Sequence, residues 1–262
     1  MPQRPTVLLL HAISRSGADF DAFAASLGSG FQTLAPDLLG HGGQDRSDQY
    51  RLVDYRDALL DLIRQRAERH DLYIYGHSLG GLVAIALAER LGSQVAGLVL
   101  EDAPLFEVDW PRFRDGPFYD GFRVLYDRLA AGPVDAAELT RDVAALPSGH
   151  GDMTYGDQFG PDGVARRVAE LMALDPRALE APMTGGLMGA VDIRRALGRL
   201  TCPVHLLAGN RDHGSALSAS DLDEFLEVCP RGQVQRFLRL GHDIRLYEQK
   251  ACVDVLRAMA AR

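Results

Sequence analysis

Short, nearly continuous apolar runs alternate along the chain with longer stretches in which apolar residues recur every three or four positions. The runs at 6–11, 31–35, 72–75, 95–100, 202–208 and 234–238 predict strands buried on both faces, because a strand with one wet face would alternate instead. Between them, 19–27, 50–69, Leu79–Leu91 and 247–260 carry helical spacing. In the second, Leu52, Tyr55, Leu59, Leu62 and Ile63 share one face with charges between them. Strand, helix, strand in repetition predicts an α/β fold, a mostly parallel sheet with helices on both faces. Sites in such sheets lie at the carboxyl ends of the strands.

The pattern breaks between 104 and 199. Strand-like runs disappear there, and Phe106, Trp110, Phe113, Phe118, Tyr119, Phe122 and Tyr126 cluster ahead of a Pro- and Gly-rich stretch, 147–163, expected to be a loop. Most of these aromatics are expected to hold this segment together, with the remainder free to line a pocket.

Composition narrows the class. With 262 residues, 47% hydrophobic and 24% charged, the chain has the make-up of an ordinary globular protein. A net charge of −8 argues against nucleic acid or an anionic membrane as partner. Arg side chains supply nearly all the positive charge, Lys250 being the one lysine. Cys202, Cys229 and Cys252 are odd in number and lack metal-ligand spacing, so free thiols in a reducing compartment are expected. The first apolar run is too brief for a signal peptide and no segment is long enough to span a bilayer, so the expected location is cytoplasmic.

The chemistry centres on Gly76-His77-Ser78-Leu79-Gly80-Gly81, which sits between a strand pattern and a helix pattern. A serine hydroxyl is a weak nucleophile and needs exposure, a base and donors for the oxyanion it creates. A sharp strand-to-helix turn lifts Ser78 above the sheet, and its flanking glycines lack the Cβ that would collide there. The Leu79 amide, first in the helix, points at the reacting oxygen.

This stretch resembles the nucleophile elbow of the α/β-hydrolase superfamily. The resemblance extends over the chain. The strand ending in His11 and its loop correspond to the family's His-Gly segment, which implies that the Ile13 amide is the second oxyanion donor, although Ala12 replaces the usual glycine. Arg15, in that loop, is a candidate for substrate contact or a solvated cation. Pro36-Asp37-Leu38-Leu39-Gly40-His41-Gly42 is similar to a family turn in which Asp37 and His41 would brace loops. Asp212, after the strand at 202–208, falls where the family's catalytic acid falls, and His242, after the last strand, where its base falls. The order Ser78, Asp212, His242 is the superfamily's. Asp102, ending the strand next to the nucleophile's, is the alternative acid. His213 adjoins the proposed acid but diverges from it in a turn.

The resemblance further implies a helical cap at 104–199 inserted in a core of 1–103 and 200–262. His150, Met153 and Tyr155 are candidates for the pocket mouth. The antiparallel hairpin usual at the start of the fold is expected to be missing, leaving a sheet edge open to a second copy. The implied activity is a serine hydrolase, without metal or cofactor, cleaving a carboxylic ester or lactone of a small, largely apolar molecule. The alternatives are a C–C bond hydrolase of diketone type using the same triad, and a fold that binds a ligand without turnover.

Overall fold

In the computed structural model, which describes residues 4–66, 72–116, 118–148 and 152–261, the apolar runs assemble into a single sheet. β1 (Thr6–Leu10), β2 (Gln32–Leu34), β3 (Leu72–His77), β4 (Val95–Glu101), β5 (Val204–Ala208) and β6 (Gly232–Arg236) lie in the order β2-β1-β3-β4-β5-β6, every pair parallel. Successive side chains of a strand face opposite ways, and here both directions are apolar. Leu8, Leu10, Ile74, Leu98 and Leu206 enter one core cluster, while Val7, Leu9, Tyr75, Val99 and Leu207 enter the other. That double burial is why the runs are continuous rather than alternating.

The first cluster is closed by α2 (Leu52–Arg66), α3 (Leu79–Leu91), α8 (Ile193–Arg199) and α9 (Ala219–Val228). The second is closed by α1 (Asp21–Leu27) and α11 (Gln249–Ala260), with α10 (Ile244–Tyr247) leading into the last helix. Among the described residues β2 and β6 form the edges, and β2 has 3 residues, a short template for pairing with another chain. No described helix is long and apolar enough to cross a membrane.

The segment between β4 and β5 is helical, with α4 (Tyr119–Ala130), α5 (Ala136–Ala145), α6 (Tyr155–Ala173) and α7 (Arg177–Met183) ahead of α8. α5 and α6 share a small core of Leu139, Val143, Val164, Val168 and Leu171. α8 packs instead on α3 and α9, in the layer that covers the sheet. The loop expected at 147–163 is cut short: α6 starts at Tyr155 behind a Thr154–Asp157 capping box and kinks at Gly160 and Pro161. Gly160 takes φ 63°, and the proline after it opens the second helical segment, where a missing N–H costs nothing. The last strand begins at Gly232 rather than 234, in register with Val204. The stretch 67–69 of the second expected helix, and His150, lie outside the described residues.

Candidate active site

β3 runs directly into α3 through a tightly constrained turn. Ser78 has φ 52° and ψ −117°, in a region that side-chain-bearing residues seldom occupy. Its neighbours hold it there: a Cβ on Gly76 would stand 2.3 Å from the Gly80 carbonyl oxygen, and one on Gly80 would stand 2.1 Å from that of Leu10. The Ser78 amide donates to the Glu101 carbonyl at 2.9 Å, tying the turn to β4.

The loop after β1 is fixed from below by His11. The Leu38 amide donates to His11 Nε2 at 2.8 Å, so the ring proton sits on Nδ1, which donates to the Ala12 carbonyl at 2.8 Å. Burial lowers the His11 pKa to about 4, keeping that tautomer neutral. The Arg15 amide also donates to the Ala12 carbonyl, at 3.1 Å. A trans peptide places N–H opposite C=O, so pinning this carbonyl aims the Ile13 amide the other way. Ile13 and Leu79 both border the cavity that contains Ser78. His41 and Asp37 brace as expected. His41 Nδ1 meets the Leu39 carbonyl at 2.9 Å and its ring packs edge-on to His11, while Asp37 accepts from the Gly17 and Gly43 amides at 2.7 and 2.9 Å.

The structure pairs His242 with Asp102 and not with the expected Asp212. His242 Nδ1 donates to Asp102 Oδ2 at 2.7 Å, and Asp212 is exposed on a 3-10 turn whose Asp212 amide is capped by Asn210 Oδ1 at 3.1 Å. The physical reason lies in the loop after β5. It swings residues 211–214 into solvent and returns Ser215 and Ala216 onto Asp102. There the Ser215 hydroxyl donates at 2.6 Å and the Ala216 amide at 2.7 Å, with the Gly209 amide at 3.0 Å. Asp102 is fully buried and has φ 41°. Burial disfavours the charged His242 ring, but the hydrogen bond and charge of Asp102, with Asp243 and Glu101 behind, outweigh it, and the pKa is raised. His213 is exposed and lies off the cavity.

Sequence reasoning missed the support beneath His242. The buried Arg245 donates from Nη1 to His77 Nδ1 at 2.9 Å, so His77 carries its proton on Nε2 and donates to the His242 carbonyl at 3.1 Å. Arg245 is also paired with Asp19 and with Glu101, the latter at 3.2 Å, and lies 4.6 Å over the Phe20 ring. The His242 ring itself packs between His77 and Phe118, with centroids 4.7 and 5.0 Å away.

Ser78, Leu79, Ile13, His77 and His242 open onto one cavity of about 190 Å³. Of the aromatic cluster, Phe113, Phe118 and Phe122 line it, whereas Phe106 is buried elsewhere and Trp110 is 45% exposed. Tyr155 stacks on Phe159 and Met153 is exposed, neither of them in the lining. Cys202, Cys229 and Cys252 are free and buried. Among the described residues no group of His, Cys, Asp and Glu side chains is arranged to hold a metal ion.

A parallel sheet sandwiched by helices, with a strained serine between β3 and α3, defines the class, and comparison with known proteins agrees. The alpha/beta hydrolase family profile matches residues 7–255. The chain belongs to that family. It is 31% identical over 267 aligned positions to the pimeloyl-[acyl-carrier protein] methyl ester esterase of Aromatoleum aromaticum, covering 97% of this chain and 99% of the relative. Among solved structures, an N-formylmaleamic acid deformylase from Pseudomonas putida superposes with a TM-score of 0.73 at 18% identity, covering 96% of this chain and 92% of the other. An esterase from Exiguobacterium antarcticum gives 0.74 at 16% identity, covering 100% and 94%. Those two likenesses are likenesses of fold.

Proposed function

We propose that the chain is a serine hydrolase that cleaves a carboxylic ester or lactone of a small molecule through an acyl-enzyme on Ser78, with His242 as base and Asp102 as its partner. The observation that carries this reading is the 2.7 Å His242–Asp102 hydrogen bond, made beside the cavity that holds the strained Ser78. With Nδ1 committed to Asp102, only Nε2 of His242 is available to the serine.

Ser78 Oγ attacks the acyl carbonyl and passes its proton to His242 Nε2, while Asp102 stabilises the imidazolium. The oxyanion is received by the Ile13 and Leu79 amides, each donor contributing on the order of 3 kcal/mol to the transition state. Collapse breaks the C–O bond, and the alcohol leaves with the proton from His242. Water then gives a proton to His242 as it attacks the acyl-enzyme, and the acid departs as Ser78 recovers its hydrogen. The full-length relative, named as a methyl ester esterase, supports ester over C–C cleavage.

The test is the hydrolysis of 4-nitrophenyl esters of increasing acyl length by wild type and Ser78→Ala, matched for folded concentration. Turnover that drops by about 10³-fold or more in the variant is expected. Equal rates in the two proteins would overturn the reading.

A further inference from the structure

The cavity wall is not apolar throughout. Beside Leu82, Val108, Phe113 and Leu187 it includes two arginines, Arg15 from the loop after β1 and Arg167 from α6, whose side chains are 14% and 13% exposed. Such charges need counter-charges, and for Arg15 the charges of Asp19, Asp243 and Glu170 outweigh the cost of burial and raise its pKa. Glu170 serves both, at 3.7 Å from Arg15 and 3.4 Å from Arg167, and also accepts from the Ser16 hydroxyl at 3.0 Å. Burial raises the Glu170 pKa, against the pull of Arg15 and Arg167. Asp243 borders the same cavity and its charge is felt by Arg15, but it makes no ion pair within 4.0 Å with either arginine.

The two guanidiniums are spent differently. Arg167 is a tether, donating from Nη1 to the Ser14 carbonyl and from Nη2 to the Ser14 hydroxyl at 2.8 Å. Burial and the repulsion of Arg15 pull its pKa down to about 10, which leaves it charged at neutral pH. Arg15 has five N–H donors, and among the described residues its side chain makes one hydrogen bond, a long one of 3.4 Å to the Tyr155 hydroxyl. It also stands next but one to Ile13, the amide aimed at the oxyanion.

We infer that Arg15, backed by Arg167, is a carboxylate subsite of this cavity, and that the substrate is an ester of a short dicarboxylic acid whose second carboxylate is free. This rests on the hydrolase reading above and replaces "largely apolar" with a defined polar end. A guanidinium binds a carboxylate through two parallel N–H···O bonds, which uses the donors Arg15 leaves over. Arg15, Ser78 and His242 all line this one cavity, so the free carboxylate and the scissile carbonyl belong to one small molecule.

The experiment compares methyl hydrogen glutarate with its neutral isostere, methyl 5-oxohexanoate, in wild type, Arg15→Gln and Arg15→Lys. Wild type is expected to favour the acid by about tenfold or more in kcat/KM, a preference that shrinks with added salt. Arg15→Gln brings the ratio towards one, and Arg15→Lys restores part of it. A wild-type ratio of one or less, or a preference that survives Arg15→Gln, overturns the subsite. A second measurement is independent of turnover: calorimetric titration of Ser78→Ala with glutarate, expected to weaken by about tenfold when Arg15→Gln is added. Glutarate binding without cleavage of any ester would keep the subsite and remove the hydrolase reading. Cleavage of neutral esters without glutarate binding would do the reverse.

Discussion

The hydrogen bond from His242 Nδ1 to Asp102, 2.7 Å long, joins the loop after β6 to the end of β4. Three further donors, from Gly209, Ser215 and Ala216, converge on the same carboxylate. A carboxylate held by that many donors cannot turn away from the imidazole. Asp102→Asn keeps the shape but loses the charge and offers an amide where an acceptor is needed. The expected fall in kcat is on the order of 10³ to 10⁴. Asp212→Asn, at an exposed turn, is expected to leave kcat within about twofold. Steady-state rates on one ester decide between the two carboxylates, and the reverse ranking would return the acid to Asp212.

The pH dependence follows from the same contact. The base must be neutral to accept the serine proton, so activity falls as pH drops through the His242 pKa. Burial alone would lower that pKa, but Asp102, then Asp243, raise it, and the acidic limb of kcat/KM should lie above the ordinary imidazole value of about 6.5. Asp243→Asn removes a supporting negative charge and leaves the His242–Asp102 bond in place. Its acidic limb should move to lower pH, which a kcat/KM profile between pH 5 and 9 would register. A limb that moves upward would contradict the assignment of cause.

His11 tests the aim of the Ile13 amide. Replacing it with leucine leaves the buried Leu38 amide without its acceptor and removes one of the two donors that hold the Ala12 carbonyl. A stability loss of about 1–3 kcal/mol is expected from the orphaned amide. A misdirected oxyanion donor lowers kcat by about 10²-fold while KM changes little. Urea unfolding and steady-state kinetics separate the two effects, and unchanged kcat in a folded variant would refute the orienting role.

How legible all this was in the sequence depends on the range of the interaction involved. The elbow is local: Gly76, Ser78 and Gly80 meet within one turn, so spacing alone exposes them. The sheet was legible because double burial makes β1, β3 and β4 continuous apolar runs. Asp102 was harder, since its partners Gly209, Ser215 and Ala216 lie about a hundred positions away, and nothing in Glu101-Asp102-Ala103-Pro104 announces them. Asp212 has the better local setting, and only the path of residues 210–216 takes it out of reach. Arg167 lies on a helix whose start was hidden by Gly160 and Pro161, which read as a loop. The Arg245–His77–His242 relay crosses from α10 to β3 and leaves no periodic trace.

That relay predicts a stability cost as well as a kinetic one. Arg245 is 1% exposed and neutralises Glu101, which is fully buried and also accepts from the Tyr75 hydroxyl at 2.9 Å. Arg245→Met preserves much of the volume and leaves Glu101 facing an apolar neighbour. Removing one partner of a buried pair costs about 3–5 kcal/mol, and for a chain of this size that corresponds to a fall in Tm of roughly 10 °C. The double variant Arg245→Met, Glu101→Gln no longer strands the fully buried Glu101 charge, leaving only Asp19 without its partner, and should recover part of the loss, since replacing both members of a buried pair is often close to neutral. Neither variant leaves a donor for His77 Nδ1, so the ring no longer has a fixed tautomer with which to hold the His242 carbonyl. Stability and catalysis should therefore separate. The double variant regains unfolding free energy in urea but not kcat. If both recover together, the relay only keeps Glu101 company, and His77 has no part in holding the base.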